Sequence, residues 1–211
     1  MTAFKIGSTY VWLIVSICIS PNLIGQESGE AFSHEGFFLR FLGGGGLASL
    51  VIDDVNGSAM SARERGSLFH VQAGGEIFQN LALFGDLGAF TFSDPKVRYQ
   101  GESFTSKGTE ISSIAIGVGL TYYIMPHNVY LSGSLLIAKT QLEEPIFEEE
   151  TELGPGILFC IGKEWWVGKK WGLGVAGFFE FHKLKSREET WGYKSGITNK
   201  MFGVAFTATM F

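Results

Sequence analysis

Cysteine is almost missing from this chain, which has only Cys18 and Cys160. If the first departs with a leader, no intramolecular disulfide remains, and an exported domain must be held by backbone pairing and packing instead. Beyond the N-terminal region no apolar run reaches the roughly 20 residues that a spanning helix needs, and no segment keeps a 3.6-residue period. A basic stripe is missing too. The formal net charge is −5, which argues against a general nucleic-acid partner because phosphates would have nothing to meet. Gly-x-Ser-x-Gly, zinc-ligand spacing and a phosphate-cradling glycine loop are all absent. The run Gly43–Gly46 opens no helix, so it suits a bend or close wall packing. No catalytic residue, metal or cofactor is expected.

The N-terminus reads as a secretory leader. Lys5 supplies a modest positive region, Val11 to Ile19 is nearly all apolar, and Ser20-Pro21 breaks the run. Cleavage after Gly25 would make residues 1–25 the leader and leave Gln26 first. Ile17 is too large for the residue preceding a lipidated cysteine, so lipidation at Cys18 is not expected. Residues 26–35 then form a short periplasmic segment and residues 36–211 the folded domain.

What the chain does have is glycine, 29 residues, nearly twice the usual share of about 7%, and 19 phenylalanines. From Ile111 to Tyr123 these two kinds of residue separate by face. Ile114, Ile116, Val118, Leu120 and Tyr122 fall on one side; Ser113, Ala115, Gly117, Gly119 and Thr121 fall on the other. Period-two alternation means a strand with unlike surroundings. Small residues fit the crowded inside of a narrow barrel, and the apolar side then fits lipid.

The same inside-out pattern recurs in eight segments: Gly36–Leu50, Ser67–Phe78, Leu81–Phe92, Glu110–Ile124, Val129–Thr140, Gly154–Trp166, Trp171–Leu184 and Lys200–Phe211. Short turns at Gln79-Asn80, Met125–Asn128 and Val167–Lys170 alternate with long polar connections at Ile52–Gly66, Ser93–Thr109, Gln141–Leu153 and Lys185–Asn199. Such alternation is the anatomy of an up-and-down membrane barrel, short turns periplasmic and long loops outside. The even strand count puts both termini on the periplasmic side. Tyr122, Tyr123, Trp165, Trp166 and Trp171 cluster where the apolar band should end, so all five are expected at the membrane interface.

On this architecture, and on its terminal Phe211, the chain from Gly36 onward resembles the small eight-stranded outer-membrane barrels of Gram-negative bacteria, the OmpA-transmembrane, OmpX and OmpW type. The stretch Gly162-Lys-Glu-Trp-Trp-Val-Gly-Lys-Lys-Trp-Gly-Leu-Gly is similar to a two-strand hairpin of such proteins. The resemblance implies an all-β antiparallel barrel resident in the outer membrane. It also implies contact with outer-membrane lipid and lipopolysaccharide, and with the barrel-insertion machinery through Phe211. A monomer is expected. One departure stands out. The residues two and four before Phe211 are Thr209 and Thr207, whereas Phe202, Val204, Phe206, Ala208 and Met210 make the apolar face. Either Phe211 turns inward at the rim or a bulge shifts the register.

The alternation places Arg40, His70, Gln72, Glu76, Asp86, Glu164, Glu180 and His182 inside. An Arg40–Glu76 pair on adjacent strands, shared with Glu164, is expected as a salt-bridged plug, with a gate or ion path as the alternative. Four acids against one arginine predict either protonated carboxylates or entry of water and cations. The third connection carries Glu143, Glu144, Glu148, Glu149, Glu150 and Glu152 without the spacing of a calcium loop. The fourth sets Lys185, Arg187 and Lys194 beside Trp191 and Tyr193, a mix suited to lipid phosphates or a protein. Barrel enzymes such as lipid A deacylases resemble a His-x-Ser arrangement, and none of His34, His70, His127 and His182 has serine two residues later. The expected role is therefore structural or surface interaction through the loops. The alternatives are a narrow channel for small or hydrophobic solutes and a soluble lipid-binding barrel of the calycin type.

Overall fold

The computed structural model describes residues 36–53, 59–144, 147–167, 170–187 and 195–211. The leader and the segment 26–35 lie outside the described residues. Eight strands close into an antiparallel barrel: β1 (Phe37–Asp53), β2 (Ala59–Phe78), β3 (Leu81–Ser93), β6 (Glu110–Ile124), β7 (Val129–Glu144), β9 (Gly154–Trp166), β10 (Trp171–Lys185) and β11 (Gly196–Met210). Each pairs with its sequence neighbour, and β1 closes the ring by pairing with both β2 and β11. A hairpin of β4 (Lys96–Tyr99) and β5 (Glu102–Thr105) adds to β2, and β8 (Phe147–Glu150) adds to β7.

Short turns and the C-terminus share one end, called the near end below; the long connections share the far end. At the first short turn Asn80 takes φ +64°, a left-handed conformation that asparagine tolerates better than most residues. The strands run further toward the far end than their apolar patterning predicts. β1 continues to Asp53 and β2 starts at Ala59, and the second connection holds the β4–β5 hairpin. Past the belt of outward apolar residues, both faces of a strand are free to be polar, so the alternation that marks a strand fades while its hydrogen bonds persist.

The registers fix the barrel's geometry. Stepping across the ladders from Arg40 leads through Gln72, Asp86, Gly117, Leu136, Gly156, His182 and Asn199 to Leu50, ten residues further along β1. An eight-stranded ring with that stagger has strands tilted about 40° to its axis and a wall radius of about 8 Å, from a rise of about 3.3 Å and a strand spacing of about 4.8 Å. Such a bore is narrow enough for side chains to fill.

Sidedness follows the alternation. Outward residues such as Ile114, Ile116, Val118, Leu135 and Phe206 are exposed, while the inward Ser113, Thr121, Ser132 and Ser134 are buried. Apolar residues outside and polar or ionisable ones inside reverse the arrangement of a soluble lipid carrier. Inward glycines serve as sockets. Gly88 lies opposite His70, Gly156 opposite His182, and Gly162 opposite Tyr130. A methyl group on any of them would come within about 2.1 to 2.5 Å of the facing ring.

Candidate functional site: a polar column in the lumen

The lumen is layered along its axis. At the near end, the ring of Phe211 packs edge-on against Phe38 and Tyr123 and tilted against Trp166, with centroids 5.4–5.8 Å apart. β11 stays in unbroken register with β1 up to Met210, so of the two alternatives for Phe211 the inward one holds. Thr207 and Thr209 share that inward face and bond the Glu164 carboxylate, at 3.2 and 2.6 Å. The threonines that interrupt the usual terminal pattern therefore have luminal partners.

Above this aromatic layer sits Arg40, fully buried. Its Nε is 3.4 Å from Glu164 Oε1 and donates to Thr209 at 3.2 Å. Nη1 donates to Gln72 and Thr121, and Nη2 donates to the Tyr123 hydroxyl at 2.5 Å. The guanidinium also lies 4.0 Å from the centroid of the Tyr130 ring, close enough for a cation–π contact. Tyr123 in turn donates to Glu164 Oε2 at 3.1 Å. The acid and the arginine thus meet directly and through shared hydroxyls, which is the condition for a buried pair to be tolerated.

Gln72 carries the network upward, donating to Asp86 at 3.0 Å, and Ser134 bonds the same oxygen at 2.5 Å. His70 Nδ1 stands 2.7 Å from Asp86 Oδ1, and its Nε2 stands 3.2 Å from Glu180 Oε2. A ring between two ionised carboxylates satisfies both only when both nitrogens carry protons. Glu180 Oε1 next meets His182 Nε2 at 2.9 Å, and His182 Nδ1 meets Ser113 Oγ at 3.0 Å. Thr140 donates to Ser113, and Asn199 donates to Thr140. Toward the far end Leu50, Phe92, Ile111, Leu184 and Ile197 are buried, so the polar column is enclosed between two apolar layers.

The expected Arg40–Glu76 pair does not form. The register sets Arg40 opposite Gln72, and Glu76 lies four residues nearer the barrel's end. There it accepts the Asn80 backbone N–H at 2.8 Å, closing the first turn. Two interface expectations also change. Tyr122 and Trp171 are exposed on the outer wall, and Trp165 lies half-buried on that wall with Lys163 5.6 Å from its ring. Tyr123 and Trp166 are buried inside. Successive residues of a strand face opposite sides, so neither aromatic pair can sit wholly at the interface.

Motif spacing gave no sign of a Ser113–His182–Glu180 chain, whose members come from β6 and β10. It has the residue types of a hydrolytic triad. However, the serine is 1% exposed, and its hydroxyl is also 3.2 Å from the Lys139 carbonyl. A nucleophile needs room for a carbonyl to approach within about 3–3.5 Å. The arrangement reads as packing. His127 lies in the exposed second turn, away from this column. In the third connection, Glu150 bonds Lys139 at 2.7 Å and Arg187 at 2.9 Å. Trp191, Tyr193 and Lys194 lie outside the described residues.

No protein-family model matches the chain, and no curated protein does. Among solved structures, the crystal structure of Neisserial surface protein A is similar at 12% identity and a TM-score of 0.52. The match covers 82% of this chain and 96% of that one. The outer-membrane protein OprG from Pseudomonas aeruginosa matches at 13% identity over 84% and 99% of the two chains, with a TM-score of 0.44. The outer-membrane protease OmpT from Escherichia coli matches at 11% identity over 88% and 99%, with a TM-score of 0.43. The fold is that of the small outer-membrane β-barrels.

Proposed function

We propose that this chain is an integral outer-membrane barrel whose lumen is closed to solutes and whose role lies in the surface it presents beyond the membrane. The observation that carries this reading is the burial of Arg40, His70, Glu180 and His182 at 0% exposure across the middle of the bore. A water-filled path past them would leave some of these atoms wet. Their carboxylate, hydroxyl and imidazole partners take up the hydrogen bonds that water would otherwise make. In this reading the near end faces the periplasm, the monomer is the working unit, and the insertion machinery meets the last strand. Contacts with lipid and lipopolysaccharide fall on the outer wall, and catalysis has no part.

Planar-bilayer recording tests the closed lumen. No steady single-channel current is expected from the purified barrel, and reproducible steps would replace this reading with that of a narrow conduit. Membrane residence has a separate readout. The folded barrel should require detergent for extraction and should change mobility on boiling.

A further inference from the structure

On the outer wall at the far end, a groove of about 430 Å³ opens between β2 and the β4–β5 hairpin. Arg63, Lys96 and Arg98 line it, together with Ser61, Ser103 and Thr105 and the apolar Val97 and Phe104. The register explains why they converge. Arg63 pairs across the ladder with Lys96, and Ser61 with Arg98, so three cations sit within two residues and one strand spacing of about 4.8 Å. Like charges so placed repel one another unless an anion lies between them. The ion pairs found among the described residues give none of the three a carboxylate partner. The cationic row continues along the wall, because Arg63 lies opposite Ser49 and Ser49 opposite Lys200.

Directly toward mid-barrel on the same outward face stand Leu47, Phe69 and Phe202, exposed by 52, 52 and 53%. Arg65 lies opposite Leu47, and Leu47 opposite Phe202. The groove therefore sits immediately above apolar wall. A soluble anion would use only the cations, whereas a lipid would use both surfaces at once. We infer that this groove binds the phosphate of an outer-leaflet lipid. The guanidinium groups of Arg63 and Arg98 offer forked donors to the phosphate oxygens. Lys96 adds a point charge, the three hydroxyls donate, and the acyl chains lie along Leu47 and Phe202. This inference rests on the membrane reading above.

The test uses the mature chain in nanodiscs of phosphatidylcholine doped with a minority of phosphatidic acid, with retained lipid read by native mass spectrometry and by titration. Wild type should hold phosphatidic acid in preference to phosphatidylcholine. Each cation near a charged lipid surface contributes about fivefold, so Arg63→Gln, Lys96→Gln and Arg98→Gln together should weaken retention on the order of a hundredfold. The single Arg98→Gln, on the exposed hairpin, should weaken it about fivefold and serves if the triple variant does not fold. Lys170→Gln, at the opposite end, should change nothing. Equal retention of both lipids by wild type, or unchanged retention by the triple variant, overturns the inference. Complete displacement of the lipid by millimolar inorganic phosphate would also overturn it, by pointing to a soluble anion. The boiling-dependent mobility of wild type, recorded in parallel, reports on the membrane reading alone, so the two failures are distinguishable.

Discussion

At the scale of single residues, Arg40 and Glu164 form a pair whose cost of disruption is asymmetric. Removing one partner strands a buried charge, so Arg40→Ala or Glu164→Ala should each lower stability by roughly 3–5 kcal/mol. The double exchange Arg40→Met with Glu164→Leu should lose much less, because no uncompensated charge remains. Urea titration of the barrel in lipid vesicles checks both, and additive losses would mean that the two side chains are not coupled. Which residues face inward was legible from the alternation alone: Arg40, His70, Asp86, Glu164, Glu180 and His182 all lie where their parity puts them. Their partners were legible only in part: Glu164 was expected at Arg40 and lies 3.4 Å from its Nε, whereas Glu76 does not meet it. Parity says nothing about height, and a register four residues away from the guess separates Arg40 from Glu76 by about 13 Å of strand. The acid that Arg40 keeps is Glu164 of β9, three strands around the ring. The hydroxyls of Tyr123, Thr207 and Thr209 were also missed as ligands, since an aromatic or a threonine at a strand end has several ordinary uses.

At the scale of elements, the extensions beyond the outward apolar belt have their own ties. β8 pairs with the far part of β7, and an isolated bridge joins Thr151 to Ser186. On the outside of this seam Glu150 accepts from Lys139 and from Arg187. The Lys139 hydrogen bond, supported by its charge and by Arg187, holds the Glu150 carboxyl below the usual glutamate range. A lowered folded value means that this contact supports the fold above the ordinary carboxylate pKa. Its support is lost as pH falls through the lowered value. Carbon-13 titration of Glu150 should place its midpoint below that of an unpaired glutamate, and Lys139→Gln should move it upward. A midpoint at or above the ordinary value would show that the trio does not persist in solution. These extensions were largely hidden in the sequence. Arg63, Glu64 and Arg65 in β2, or Glu148 to Glu150 in β8, carry no apolar alternation to announce a strand.

For the whole molecule, the ten-residue stagger around eight strands commits the wall to a tilt of about 40°. Polarised infrared dichroism of oriented bilayers measures that angle directly. A tilt under about 30° would be incompatible with the stagger and hence with the registers that bring the luminal side chains together. The closed ring itself was legible, because the strand count is even and short turns alternate with long connections. The diameter was not, since stagger depends on the offset between β1 and β11, strands more than 140 residues apart in the chain.

That junction sets the first and last strands of the barrel side by side, with Leu39 paired to Met210. Closure is therefore the one contact no partial length of polypeptide can make, and a growing chain stays an open ribbon with two unsatisfied borders until its final segment arrives. By the same token the cylinder keeps no memory of where it starts. Splicing residue 37 to residue 211 and cutting anew at Gln79-Asn80 would reorder the polypeptide while preserving every ladder, with β2 and β3 becoming the strands that close the ring.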